Sequence, residues 1–145
     1  MTPIDANTSV GDQVATYLWI AIGGALGGIA RYWISGLVAR QFGETFPWGT
    51  LIVNVTGSLA IGFFATSTGP DGRWLVGTQG RIFFIIGLFG GYTTFSSFSL
   101  QTLNLIRDGE WLYATVNAVL SVVLCLASVW LGHVLALSLN PTRGI

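Results

Sequence analysis

Two stretches of this sequence carry polar side chains at every fourth position within otherwise apolar surroundings. A spacing of four residues places side chains on one face of a helix. The first stripe is Thr50, Asn54 and Ser58, and the second is Tyr113, Asn117, Ser121 and Cys125. Amide and hydroxyl groups donate hydrogen bonds, and neither stripe contains Asp, Glu or Lys. These donors suit a small anion, since a cation pathway or proton relay usually shows a carboxylate.

A polar residue in an apolar helix also has a simpler interpretation. A single buried Asn often serves as a hydrogen-bonding link between helices. For Asn54 alone, that role and a pore-lining role are equally favoured. A second stripe through Asn117 and Ser121 favours a lined path over an isolated link between helices.

The segment GLFGGYTTFSSFS, residues 87–99, combines two adjacent glycines with a dense row of hydroxyl groups. Gly90 and Gly91 weaken a helix interior, so we expect the helix to unwind near residues 90–93 and to restart around Thr94. Such a break at membrane depth is tolerated only where protein or a water-filled cavity satisfies the freed backbone groups. Freed carbonyls can hold a cation, and the freed N–H groups of the second half-helix favour an anion.

Phe95 and Phe98 share a helix face, because they are three residues apart. By spacing alone they are packing or lipid-facing residues. The alternative is that their ring edges, which carry partial positive charge, contact an anion. Ser96, Ser97 and Ser99 are expected to donate to the carbonyl four residues earlier.

Arg31 is the one charge well inside an apolar stretch. Its side chain can extend to the membrane interface, or it can place a fixed positive charge in a vestibule that attracts anions. The donor stripes favour the vestibule.

The elements that must position these residues are membrane helices. The chain has 145 residues, of which 52% are hydrophobic and 8% are charged, whereas soluble domains have about 25% charged residues. A spanning helix needs about 20 mainly apolar residues. Four stretches qualify, at residues 17–39, 48–67, 82–106 and 111–139. The sequence therefore predicts an all-α membrane protein with one four-helix domain over 17–139, a polar N-terminal tail over 1–16 and a C-terminal tail over 140–145.

The remaining composition excludes several functions. A net charge of zero offers no basic patch for nucleic acid. Cys125 and His133 are the only residues of their types, so we interpret Cys125 as a packing residue and His133 as an interfacial one. No catalytic residue set and no phosphate-binding loop appears, so the sequence does not indicate an enzyme.

The arginines give no clear orientation signal. The chain has six Arg and no Lys; Arg73, Arg81 and Arg143 lie on one predicted side, and three others lie opposite. Because the arginines are balanced, the positive-inside rule predicts no preferred orientation. This balance favours insertion of the chain in both orientations, and pairing as an antiparallel dimer, over one weakly encoded orientation. GGALGGIA in the first span supplies small faces for close helix packing.

Three blocks carry a resemblance to a known family. GGALGGIARY, WGTLIVNVTGS and GGYTTFSSFS occur in this order in a four-span chain, and they closely resemble the Fluc fluoride channel family, also called CrcB. The second and third blocks are specific, whereas the Gly-rich block alone would be weak. The resemblance implies a passive fluoride-selective channel of the bacterial inner membrane that exports fluoride. It also implies an antiparallel, dual-topology homodimer with two pores and a central structural sodium ion.

The resemblance further implies individual roles for residues near the predicted break. Asn54 matches the family's pore asparagine, and Phe95 and Phe98 match its pore-facing phenylalanines. The backbone carbonyls that bind the family's sodium fall to Gly90 and Thr93.

Three more matches complete the implied site. Asn117 and Ser121 match the polar track on the fourth helix, although some members have a tyrosine in place of Asn117. Arg31 matches an arginine of the first helix. Thr50 joins the pore set through its place in the first polar stripe.

Two other functions fit a chain of this size. One is a dual-topology exporter of cationic drugs, which would depend on an intramembrane carboxylate; the sequence has none between Glu44 and Asp71 or between Asp71 and Asp108. The other is a non-transporting subunit of a larger membrane complex. Fluoride efflux by the purified protein would separate the channel from both.

Overall fold

The computed structural model describes residues 9–139, and this part of the chain is helical almost throughout. The helices are α1 (Val10–Phe42), α2 (Trp48–Ser67), α3 (residues 78–92), α4 (Phe95–Arg107) and α5 (Trp111–Leu139). Taking α3 and α4 together as Thr78–Arg107, the described residues contain four helices long and apolar enough to cross a membrane. The all-helical architecture is confirmed, and it is consistent with the predicted four spans.

The helix limits follow local capping signals. α1 starts at Val10 because the Ser9 hydroxyl accepts a hydrogen bond from Asp12 N at 3.2 Å, which caps the first turn. The helix therefore includes residues 10–16, ahead of the predicted span. It ends at Gly43, whose φ of 78° is accessible mainly to glycine. Residues 1–8 of the predicted N-terminal tail, and the predicted tail 140–145, lie outside the described residues.

Glycines bring α1 and α3 into backbone contact. Gly23 and Gly27 are buried in α1, and a Cβ on Gly23 would lie 2.6 Å from the carbonyl O of Phe83. In contrast, a Cβ on Gly28 would meet nothing within 4 Å. The predicted small-residue packing thus uses Gly23 and Gly27 as one face. α2 and α5 pack together in the same manner, with Gly132 of α5 set against the backbone of α2.

α3 is irregular and ends in two extended residues. Its residues Ile82–Phe89 are π-helical, and the turn Gly90–Tyr92 is again α-helical. Thr93 and Thr94 then have ψ values of 154° and 111°, and α4 begins at Phe95 with Thr94 as its N-cap. The glycine pair that was expected to unwind is helical, since Gly91 packs against the backbone of Gly24 and Thr93 N still donates to Phe89 O at 2.9 Å.

Candidate functional site

Asn54 on α2 forms two hydrogen bonds with the backbone of Thr94. Its Nδ2 donates to the Thr94 carbonyl O at 3.0 Å, and its Oδ1 accepts from Thr94 N at 2.7 Å. Both side chains are buried, with 8% of Asn54 and 7% of Thr94 exposed. The amide satisfies backbone groups that would be costly to bury alone. One of the two Nδ2 hydrogens is left for a further acceptor.

Two backbone N–H groups near this pairing do not make their usual helical hydrogen bonds. In an unbroken α-helix, Thr94 N–H would bond the Gly90 carbonyl and Ser97 N–H would bond the Thr93 carbonyl. Here Thr94 N donates to Asn54, and Ser97 N donates to the Thr94 hydroxyl at 3.2 Å. The carbonyls of Gly90 and Thr93, named above as sodium ligands, have therefore lost their usual helical donors.

The hydroxyl groups that follow the extended Thr93 form a local cluster around the Thr94 side chain. Thr94 Oγ1 donates to Ser97 Oγ at 3.0 Å and lies 3.2 Å from Ser96 Oγ. Ser99 donates to the Phe95 carbonyl at 2.9 Å, as predicted. The same prediction is wrong for Ser96 and Ser97, whose hydroxyl groups contact Thr94 Oγ1 instead. The residues four positions earlier precede α4 and are not on the same helix.

A second group of polar side chains joins α4 to α5. Asn117 Nδ2 donates to Thr102 Oγ1 at 2.8 Å, and Thr102 Oγ1 donates to the Phe98 carbonyl at 2.8 Å. Ser121 Oγ donates to Asn117 Oδ1 over a longer 3.4 Å. Asn117 is 1% exposed and Ser121 is 6% exposed. The two residues predicted from the second stripe therefore lie together, in contact with the helix that carries the phenylalanines.

The two phenylalanines differ sharply in burial. Phe98 is 9% exposed and Phe95 is 75% exposed, although their ring centroids lie only 5.1 Å apart, with the ring planes 47° from parallel. The Phe98 carbonyl accepts from Thr102, which in turn accepts from Asn117, so Phe98 lies next to this second polar group. Phe95 projects outward from the single chain, and Gly90, Ser96 and Ser99, close to it in the sequence, are also exposed.

A cavity of about 930 Å³ opens at the end of the bundle where α1 and α4 end and α2 and α5 begin. Thr50, which is 8% exposed, lines it together with Gln101 and Arg40. The buried Oε1 of Gln101 has no hydrogen-bond partner in the described part of the chain. Arg31, expected to charge a vestibule, is half-buried on α1 and does not line this cavity.

Sequence reasoning missed three residues of this region. Thr102 was passed over, although it lies four residues after Phe98 and therefore shares its helix face. Gln101 was missed because it is not part of a polar stripe with a spacing of four. Tyr92 was noted only as a hydroxyl, yet its OH lies 2.9 Å from Thr56 Oγ1. Thr56 already donates to the Ile52 carbonyl at 2.7 Å, so the Tyr92 hydroxyl is the donor in this pair.

Comparisons with known proteins agree with the resemblance seen in the sequence. Residues 18–133 match the family described as CrcB-like protein, Camphor Resistance (CrcB). A protein of Opitutus terrae named "Fluoride-specific ion channel FluC" is 63% identical over 131 residues, which are 90% of this chain and 99% of the relative. Proteins of the same name from Methylocella silvestris and Rhodospirillum rubrum are each 60% identical, over 88% and 86% of this chain and 98% and 97% of theirs.

The match to the family extends over all four long helices, and it includes the Asn54, Phe98 and Asn117 positions. With relatives of this identity aligned over nearly their full length, the chain belongs to the CrcB, or Fluc, family.

Proposed function

We propose that this protein is a passive, fluoride-selective ion channel of the bacterial inner membrane that exports fluoride. The observation that carries the proposal is a buried set of uncharged polar side chains, Asn54, Asn117 and Ser121, on helices α2 and α5, which contain no Asp, Glu, Lys or Arg. The relatives' printed names describe a fluoride-specific channel and no enzymatic activity.

The chemistry of fluoride fits such a set. Fluoride is the smallest halide and the most strongly hydrated, so a pathway must replace its water with amide N–H, hydroxyl and ring-edge C–H groups. A conducted ion must also leave, and a buried fixed charge would hold it too tightly. Neutral donors bind the ion without holding it too tightly to leave. A narrow bore set by Phe95 and Phe98 would exclude chloride on size.

The spare Nδ2 hydrogen of Asn54 is one donor to the ion. Asn54 Oδ1 is occupied by Thr94 N, and one Nδ2 hydrogen is occupied by Thr94 O, so the amide orientation is fixed and only a donor is offered. Thr50 lies one helical turn earlier, in the wall of the cavity. In this proposal the cavity is a water-filled approach to the path, and Arg31 contributes positive charge to a vestibule elsewhere.

The proposal includes an antiparallel homodimer with dual topology and two pores. A four-helix chain has little interior: the windows that define the first, third and fourth spans are each 11% buried. Phe95, at 75% exposure, belongs to the pore set only if a second chain covers it. Its neighbours Gly90, Ser96 and Ser99 are exposed too, and the balanced arginine count permits the opposite orientation that such a partner needs.

A structural sodium ion at the dimer axis completes the proposal. The Gly90 and Thr93 carbonyls fit this role, because their usual helical donors bond elsewhere and uncharged carbonyl oxygens suit hard cations. The extended residues Thr93 and Thr94 would then lie at membrane depth, where the ion would take the place of the lost donors at the Gly90 and Thr93 carbonyls. When bound, the ion would supply positive charge that holds the two copies together.

Fluoride efflux from liposomes tests the proposal directly. Purified protein is reconstituted in vesicles loaded with potassium fluoride, valinomycin is added to carry the counter-charge, and external fluoride is followed with a selective electrode. We expect fast efflux without a proton gradient and no comparable flux from chloride-loaded vesicles. Absent efflux from a well-folded protein, or equal passage of chloride, would refute it. Proton-coupled transport of an organic cation would support the exporter alternative instead.

A further inference from the structure

We infer that Thr102 is a positioning residue that fixes the orientation of the Asn117 amide, so that an N–H of Asn117 is the donor that α5 offers to the permeating anion. The inference rests on the proposed channel function and assigns within it a role to a residue outside the two polar stripes. The observation that carries it is the direction of three hydrogen bonds between α4 and α5.

The direction starts at Thr102. Its hydroxyl group has one proton, and that proton is donated to the Phe98 carbonyl at 2.8 Å. Thr102 Oγ1 can therefore only accept in its second contact, with the amide group of Asn117 at 2.8 Å. The amide nitrogen must face Thr102, because the amide oxygen in that place would oppose another acceptor.

Ser121 reinforces the same orientation from the other side. Its Oγ donates to Asn117 Oδ1 at 3.4 Å, which agrees with an amide whose oxygen points away from Thr102. Asn117 is 1% exposed, so water cannot compensate a reversed amide and each lost contact would leave a buried polar group unpaired. Thr102 makes the shorter of the two contacts with Asn117, and it therefore has the larger influence on the orientation of the amide.

The orientation decides which proton is available to an anion. The hydroxyl protons of Thr102 and Ser121 are already donated, to Phe98 O and to Asn117 Oδ1. Asn117 has two N–H bonds, and Thr102 accepts one of them. Within residues 9–139, the second N–H has no protein acceptor, and it is therefore the donor left for a desolvated anion next to Phe98.

Three variants at position 102 and a matched control test this role by fluoride efflux from liposomes. T102V keeps the shape but cannot accept from Asn117, and we expect the fluoride rate to fall by at least about fivefold, the factor for one lost hydrogen bond of about 1 kcal/mol. T102S keeps the hydroxyl group and should retain most of the rate, and T102A should resemble T102V. T115V makes the same change at an exposed hydroxyl that only donates to Trp111 O, at 2.9 Å, and should match wild type.

A double-mutant cycle separates positioning from general structural damage. If Thr102 acts through Asn117, adding T102V to N117A should lower the rate little further, whereas independent effects would multiply. N117D keeps the side-chain shape but has no N–H, and it should lose conduction even where a position 102 variant fails to fold.

The outcomes are distinguishable from failure of the channel proposal. A wild-type protein that does not conduct fluoride would refute the proposed function itself. Where wild type conducts, each of four results would overturn the role of Thr102: T102V at the wild-type rate, T102S as impaired as T102V, multiplicative effects of T102V and N117A, or N117D at the wild-type rate.

Discussion

The side-chain amide of Asn54 pairs with both backbone groups of Thr94, at 3.0 Å and 2.7 Å, across 40 residues of sequence. The pair joins α2 to the point at which α3 gives way to α4. The pair is compatible with both interpretations of Asn54, as a link between helices and as a pore-lining donor, because it joins two helices and still leaves one N–H unused. The extended conformation of Thr94 depends on this single side chain for its buried backbone bonds.

Replacing Asn54 with Asp should abolish or severely reduce fluoride conduction. The carboxylate can still accept from Thr94 N, but it cannot donate to Thr94 O and offers no N–H to the ion. It also repels an anion in a region of low dielectric constant. The measurement is fluoride efflux from liposomes, with elution on gel filtration as the test of folding.

Asn104→Asp is the matched control for that change. Asn104 is exposed and lines the wide cavity, so the same chemical substitution there should reduce efflux only mildly, since water screens the added charge. Near-wild-type flux from Asn54→Asp, or an equal loss in both variants, would contradict the role given to Asn54.

Replacing Phe98 with Ile should slow or block the path. Isoleucine fills much of the space but has no ring edge with positive partial charge, so the fluoride rate should fall while the protein remains folded. Phe64→Ile is the matched control, because Phe64 is 7% exposed and packs among aromatic rings away from Asn117. Unchanged efflux in Phe98→Ile would make Phe98 a packing residue, as its spacing alone suggested.

The periodicity of the sequence predicted features that belong to a single helix, and it missed contacts that need two helices. The 111–139 span and the common helix face of Asn117 and Ser121 follow from hydropathy and from a spacing of four, and the structure has both. The pairing of Asn54 with Thr94 could not be predicted, because the partner is a backbone group that becomes available only once the helix is interrupted.

The glycine pair shows a competing influence. Gly90 and Gly91 predicted an unwound segment from their low helix propensity, but Gly91 packs on the backbone of α1 and stays helical. Tertiary contact outweighed propensity there, and the extended backbone falls instead on Thr93 and Thr94. Thr102 was missed because it belongs to neither polar stripe, and its importance comes from its contact with α5.

Replacing Gly27 with Ala should destabilise the protein, whereas Gly28→Ala should not. A Cβ on Gly27 would lie 2.7 Å from Tyr92 N, in rigid backbone, while a Cβ on Gly28 would meet nothing within 4 Å. Overpacking of this kind typically costs about 1–3 kcal/mol. The thermal unfolding midpoint in detergent measures the difference, and equal midpoints for the two variants would show that α1 and α3 are not in close contact there.

Adding arginines to one side should fix the orientation of the chain and remove conduction by that chain alone. Asp71→Arg with Leu75→Arg adds positive charge to the α2–α3 connection, where both residues are exposed. Gln41→Arg with Glu44→Arg adds positive charge on the opposite side of the membrane. The positive-inside rule then orients each variant in one direction, and neither can form an antiparallel pair with itself. Cells that lack their own fluoride exporter should be sensitive to fluoride with either variant and resistant with both together. Full resistance with one variant whose single orientation is verified by cysteine accessibility would rule out the antiparallel dimer.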